Sequence, residues 1–386
     1  MQQDRWDWDV IAHEYGHYLS AVNNFAGGPG GDHSPFDNLS ESRGSKTIGL
    51  PLAFDEGWAT FFGVSALRSI GASVAGDPSI GDRSYDDSED QIGNFDLEAS
   101  VGLGEDNEIS VQSALWDLYD SEQDDGDTLA ISDKVLFELI KGNAVTTIGG
   151  VWNALLTRFP KVEDQVKLGA IFEDHKIAPR IAAPASNAQF KPTDTIQLSW
   201  FPQGGGPQFR NNLFNLRFFK PDWTEAYRID NLTDNFYTLS QFDVLALLQK
   251  GQAFHWVVEG RNTANPVSPG GQGFYMSPPR SFALNLTAGI PPVAFVLDTT
   301  VSMSDDIVAV GRSMAGAAAE LLLLPEEERP MVILVQFKKT RCFRSRSSPT
   351  TFSARDRCLE RFRAGIRGRR LPRERPRRDA GRGRRG

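Results

Sequence analysis

The chain reads as a multidomain protein: a mainly helical domain, then an all-β sandwich, then a partial α/β unit and a disordered Arg-rich tail. Three observations carry this reading. Apolar residues recur at helical spacing through residues 1–177. Short alternating runs separated by turn residues fill 178–287. In 288–339 two buried-strand runs flank a long apolar helix, and residues 340–386 then lose all periodicity. A chain of 386 residues, 40% of them hydrophobic, has the length and apolar content for two or three such domains.

In the first segment the HEYGH helix comes first; Ile11, Tyr15, Tyr18, Leu19 and Val22 recur at helical spacing around it, so it has an apolar face and is expected to pack by it. A glycine-rich loop, AGGPGGDHSPFDNLSESRGSKT, follows. DEGWATFFGVSALRSI is the next helix, with Phe54, Trp58, Phe61 and Phe62 on or near one side. SVQSALWDLYD is amphipathic through Val111, Ala114, Leu115 and Leu118. ISDKVLFELIKG ends in Gly142, a C-cap candidate, and VWNALLTRF and QVKLGAIFEDH add further turns. DSEQDDGD at 120–127 does not have the spacing of an EF-hand loop and reads as a solvated acidic loop.

From residue 178 proline and glycine become frequent. TIQLSWF, LFNLRFF, AYRI, FYTL, AFHWVVEG and RSFALNL are strand candidates at sandwich-like intervals, with Trp200 and Trp256 as core aromatics. In 288–339, VAFVLDTT, SDDIVAVGRSMAGAAAELLLL and MVILVQF form the pattern of a βαβ unit.

The chemistry concentrates in HEYGH at 13–17. On a helix His13 and His17 lie one turn apart on one face, and two imidazoles so placed can hold one Zn²⁺, with Glu14 beside it as a candidate general base. The bland alternative is an exposed helix with two unrelated histidines. Glu56, in the apolar helix DEGWATFFG, is a candidate third ligand, and His33 in GGDHS is the alternative. Without a metal, Glu56 is a surface carboxylate near a helix start.

Residues 13–63 resemble the gluzincin group of zinc metallopeptidases, in which two histidines of HExxH and a glutamate from a later helix hold zinc. The metzincin pattern fails, because Ser20 and Asn23 stand where it needs glycine and histidine. Here 38 residues separate His17 from Glu56, an insertion relative to the shorter spacing common in the group. The resemblance implies a zincin-like catalytic domain in 1–177 and Zn²⁺ on His13, His17 and Glu56. It also implies hydrolysis of a peptide or protein substrate, with zinc lowering the pKa of a bound water to around 7 and Glu14 taking its proton. Tyr119 and His33 are candidates for stabilising the oxyanion.

GQAFHWVVEGRN makes the β region similar to a fibronectin type III or immunoglobulin-like domain, with His255 as a strand residue. FVLDTTVSMSDDI resembles the start of a von Willebrand factor A domain. Its D-x-[ST]-x-S spacing places Asp298, Thr300 and Ser302 where that family binds a divalent cation, Mg²⁺ or Ca²⁺. Val301 replaces a common glycine, and the chain leaves the pattern after Phe337. The ligand set is therefore partial, and weak cation binding is expected.

Charge is uneven. Residues 340–386 hold 17 arginines, no lysines and four acids, a tail of +13 that leaves −22 for residues 1–339 out of −9 overall. The acidic body repels nucleic acid and suits an extracellular setting. The abrupt switch to arginine with glycine and proline is what an out-of-frame reading of GC-rich DNA gives; a genuine basic tail that binds nucleic acid is the other reading. Only Cys342 and Cys358 occur, both in the tail, so no disulfide framework is expected. No membrane span and no signal peptide are visible. The missing strands before the HEYGH helix point to a slice of a larger, secreted or cell-surface peptidase. The competing function is a surface interaction or adhesion protein, whose β-sandwich or A-like domain binds a protein ligand beside an inactive peptidase remnant.

Overall fold

The computed structural model describes residues 7–73, 80–87, 93–99, 102–120, 129–265 and 273–285, together with the backbone of two strands at 293–298 and 332–337. Residues up to Ala288 form one compact unit, and residues from Gly289 a second.

The first unit begins with α1 (Trp8–Asn23), whose N-cap Asp7 accepts from the Val10 amide and whose C-cap Asn24 turns left-handed at φ 58°. After α2 (Leu39–Ser42) comes α3 (Lys46–Ser69). It starts well before the DEGW segment and continues through Pro51, although proline removes a backbone donor inside a helix. A hairpin, β1 (Ser84–Asp87) and β2 (Gly93–Asp96), is tied to α1 by the Asp86 amide, which donates to Asp9 Oδ2. Then come α4 (Glu108–Tyr119), α5 (Asp133–Gly142), α6 (Ile148–Arg158) and α7 (Val162–Asp174).

Three local expectations change. Ile11, Tyr15, Tyr18 and Val22 on α1 are exposed, and the residues it buries are Asp9, Gly16 and Ser20. The helix packs by its small side, where close approach to α3 is possible, and not by its bulky side. In α4 every residue from Glu108 to Leu118 is buried, the polar ones included, so it is a central helix and not an amphipathic surface one. Gly142 is the last residue of α5; Asn143 is the cap and Ala144 takes the positive φ.

The remaining strands of this unit are β3 (Arg180–Ala183), β4 (Ala188–Phe190), β5 (Gln197–Phe201), β6 (Leu213–Phe219), β7 (Glu225–Leu232), β8 (Phe236–Thr238), β9 (Ala253–Arg261), β10 (Tyr275–Met276) and β11 (Arg280–Leu284). One sheet runs β4-β11-β9-β6-β7 with β10 on β9; the other runs β3-β5-β8. All pairs are antiparallel except β11 with β4. A helix absent from the sequence reading, α8 (Gln241–Leu248), joins β8 to β9 and is started by a Ser240–Asp243 capping box.

Two hydrophobic cores result. One gathers the helices around Trp58, Trp116 and Trp152; the other lies between the sheets around Trp200, Phe218 and Trp256. The expected boundary at 177/178 lies just before the switch between these cores, which comes between Ala178 and Ile181, and inside one compact unit. The reason is β9. Phe254, Trp256 and Val258 point to the sandwich core, whereas Val257 points the other way and joins Phe219, Tyr275 and Met276 in the helical core. The six-stranded sheet is therefore covered on both faces.

In the second unit β12 (Val293–Asp298) pairs in parallel with β13 (Val332–Phe337), with Val293 opposite Val332 and Asp298 opposite Phe337. The helix expected between them and the tail lie outside the described residues. Among the described residues no helix is long and apolar enough to cross a membrane.

Candidate metal centre

The site forms where α1 crosses α3. A Cβ on Gly16 would meet Ala59 Cα at 2.9 Å, and one on Gly63 would meet the His13 backbone nitrogen at 3.0 Å. Glycine on each helix thus permits an approach that any side chain would block. This crossing brings the two histidines of α1 onto Glu56 of α3. His13 Nε2 and His17 Nε2 lie 3.0 Å apart, and Glu56 Oε2 is 3.4 Å from the first and 3.3 Å from the second.

Both rings are held from behind. His13 Nδ1 hydrogen-bonds Thr60 Oγ1 at 3.0 Å, and His17 Nδ1 lies 3.6 Å from Asp55 Oδ1. These contacts leave each Nε2 turned to the shared centre. Asp55 also accepts from the Gly27 and Gly28 amides, which fastens the glycine-rich loop to α3.

That loop carries His33. Its Nδ1 donates to the Gly31 carbonyl at 2.8 Å, and its Nε2 lies 3.1 Å from Glu108 Oε2 and 4.0 Å from Glu56 Oε1. Glu108 is the first residue of α4. The preceding Asn107 caps that helix by accepting from the Ser110 amide, and its Nδ2 donates to the Pro35 and Asp37 carbonyls. One side chain thereby fixes both the helix start and the loop beside His33.

Charges in the site are strongly coupled. Burial opposes the His17 cation, but the Asp55 and Glu56 carboxylates outweigh it and raise the imidazole to about 10. Burial likewise opposes the Glu56 carboxylate, yet His13 and His17 hold it well below the usual range. The Glu108 contact, against the opposing effect of burial, lifts His33 to about 9. Tyr85, whose ring centroid is 5.6 Å from that of His13, is raised by burial and by the acids Asp87, Asp7, Asp9 and Glu108, so its phenol stays protonated.

Of the residues singled out from sequence, His13, His17 and Glu56 converge, and Glu14 is exposed on α1 next to His13. His33 does not join that trio; it groups with Glu56 and Glu108. Tyr119 packs on Phe61 and Trp116. It lies eleven residues along α4 from Glu108, ~16 Å at the rise of a helix, which removes it from the site. Asp298 ends β12, while Thr300 and Ser302 lie outside the described residues. Sequence reading missed Thr60, Asp55, Tyr85 and Glu108. Asp55 had the signal of adjacency to Glu56, and Glu108 that of ending the run EDNE at 105–108, all four buried.

Comparison with known proteins finds no match: no family model, no curated protein and no solved structure matches the chain.

Proposed function

We propose that the helical part of the first unit is a zinc-dependent peptidase. The carrying observation is the convergence of His13 Nε2, His17 Nε2 and Glu56 Oε2 at mutual separations of 3.0–3.4 Å. Ligands ~2.1 Å from zinc in a tetrahedron lie ~3.4 Å apart, so the donor set fits that ion in both chemistry and spacing. His13, His17 and Glu56 would hold it. Zinc, when bound, supplies Lewis-acid polarisation of a carbonyl and makes water acidic near neutral pH.

The chain's own residues do the rest. Glu14, exposed beside His13, takes a proton from the attacking water and returns it to the leaving amine. Thr60 and Asp55 keep the two rings aimed, and the protonated Tyr85 hydroxyl is the donor we assign to the developing oxyanion.

The test pairs zinc content with turnover of a quenched peptide library. Wild-type protein is expected to carry zinc and cleave peptides. Glu14→Gln should keep zinc and lose ~10²–10⁴-fold in turnover, because the amide retains shape without basicity. Undiminished cleavage by Glu14→Gln would remove the general-base role. Zinc without any turnover in the wild type would favour the interaction-protein reading.

A further inference from the structure

The two oxygens of Glu56 face different partners. Oε2 faces the His13–His17 pair, and Oε1 faces His33, which in turn contacts Glu108. His33 donates through Nδ1 to the Gly31 carbonyl, so Nε2 is the nitrogen that faces the two carboxylates and that can ligate a cation in place of its proton. Two half-buried carboxylates at this nitrogen repel one another unless a cation or a proton lies between them. Among the described residues no lysine or arginine pairs with Glu56 or Glu108.

We propose that His33, Glu108 and Glu56 hold a second divalent cation, with the Glu56 carboxylate bridging it to the zinc of the first site. This rests on the zinc reading above, because Glu56 is shared. One imidazole nitrogen and two carboxylate oxygens suit Zn²⁺ or Mn²⁺, and we assign a second Zn²⁺. The His33 Nε2 separations, 3.1 Å to Glu108 and 4.0 Å to Glu56, bracket the ~3.4 Å expected of ligands on one tetrahedral ion. A carboxylate bridge sets two such ions ~3.5–4 Å apart, the spacing of known two-metal hydrolytic sites. The ligands are also positioned independently: Asp55 fastens the His33 loop to α3, and Asn107 fixes the start of α4 against that same loop. The competing role for His33 and Glu108 is a hydrogen-bonded pair that shares one proton.

The experiment strips the full chain with chelator, reloads it with Zn²⁺ or Co²⁺, and counts bound metal after gel filtration. The wild type is expected to retain two equivalents. Glu108→Gln and His33→Ala should each retain one, and His13→Ala should lose the tighter of the two. In the cobalt-loaded wild type, which needs no variant, the bridged ions should show spin coupling in electron paramagnetic resonance. One equivalent in the wild type, uncoupled and unchanged by Glu108→Gln, would overturn the second site and leave the first reading standing. No retained metal, or metal indifferent to His13→Ala, would overturn both.

Discussion

Thr60 stands behind His13 and fixes where that ring points. Its hydroxyl is the partner of His13 Nδ1, and a valine there has nearly the same shape without the acceptor. Thr60→Val should therefore weaken zinc binding ~10–100-fold while the fold persists, read by competition with a chromogenic chelator. Unchanged affinity would mean that α1 packing alone orients the ring. At this scale the sequence was informative only where spacing does the work. The four-residue step of HEYGH puts His13 and His17 on one face whatever follows, and Glu56 needed only the assumption of a helix. Thr60 and Glu108 act across separations of 47 and 75 residues, which no local pattern encodes.

The helix crossing of α1 on α3 is the element that builds the site. It depends on Gly16 and Gly63 at the contact. Gly16→Ala forces a Cβ against the Ala59 backbone, where no flexible side chain can yield. The expected cost is ~1–3 kcal/mol in urea unfolding, with zinc affinity falling in parallel as the histidines move off Glu56. Stability and zinc affinity both at wild-type level would show that the helices separate without consequence. Here periodicity misled. The apolar residues of α1 mark one stripe, but the helix packs by the opposite side, because two glycines bring the backbones together more closely than Tyr15 or Tyr18 would allow. A hydrophobic pattern finds the face that gains most from leaving water; it does not register a face chosen for proximity. In α4 the same method failed differently: the apolar stripe is in the core, but the polar residues Ser110, Gln112, Ser113 and Asp117 are buried as well and not turned to solvent.

The whole first unit is joined by one buried charge cluster. Lys46 Nζ meets Glu105 Oε1 at 2.5 Å, Asn265 donates to the same oxygen at 3.0 Å, and the Tyr275 hydroxyl donates to Oε2 at 2.9 Å. Glu105 is 1% exposed and Lys46 3%, so water screens neither. These residues come from the start of α3, the loop before α4 and the strand end of the β half. Removing the carboxylate strands a buried ammonium and two donors, and Glu105→Ala should cost ~3–5 kcal/mol. Because the cluster ties the loop before α4 to Asn265 and Tyr275, which flank and pair with β9, hydrogen exchange in α4 and in β9 should lose protection together. Loss confined to one of them would show that the halves unfold independently. The order of the main helices and strands was legible along the chain through periodicity and turn residues, but the β1–β2 hairpin and α8 were not. Their union was not, because Val257 sits among residues of opposite orientation and only the assembled sheet reveals what it meets.

That single valine, with Phe219, Tyr275 and Met276, bears on how such a protein could arise. A sandwich module can be transplanted between chains when both of its outer faces tolerate water. The outer face of this sheet does not: cutting at residue 178 would leave four large apolar side chains bare on one partner and an uncovered helical core on the other. A recombinant in which another sandwich is spliced after residue 177 would inherit a mismatched surface. The two halves are matched to each other at this face.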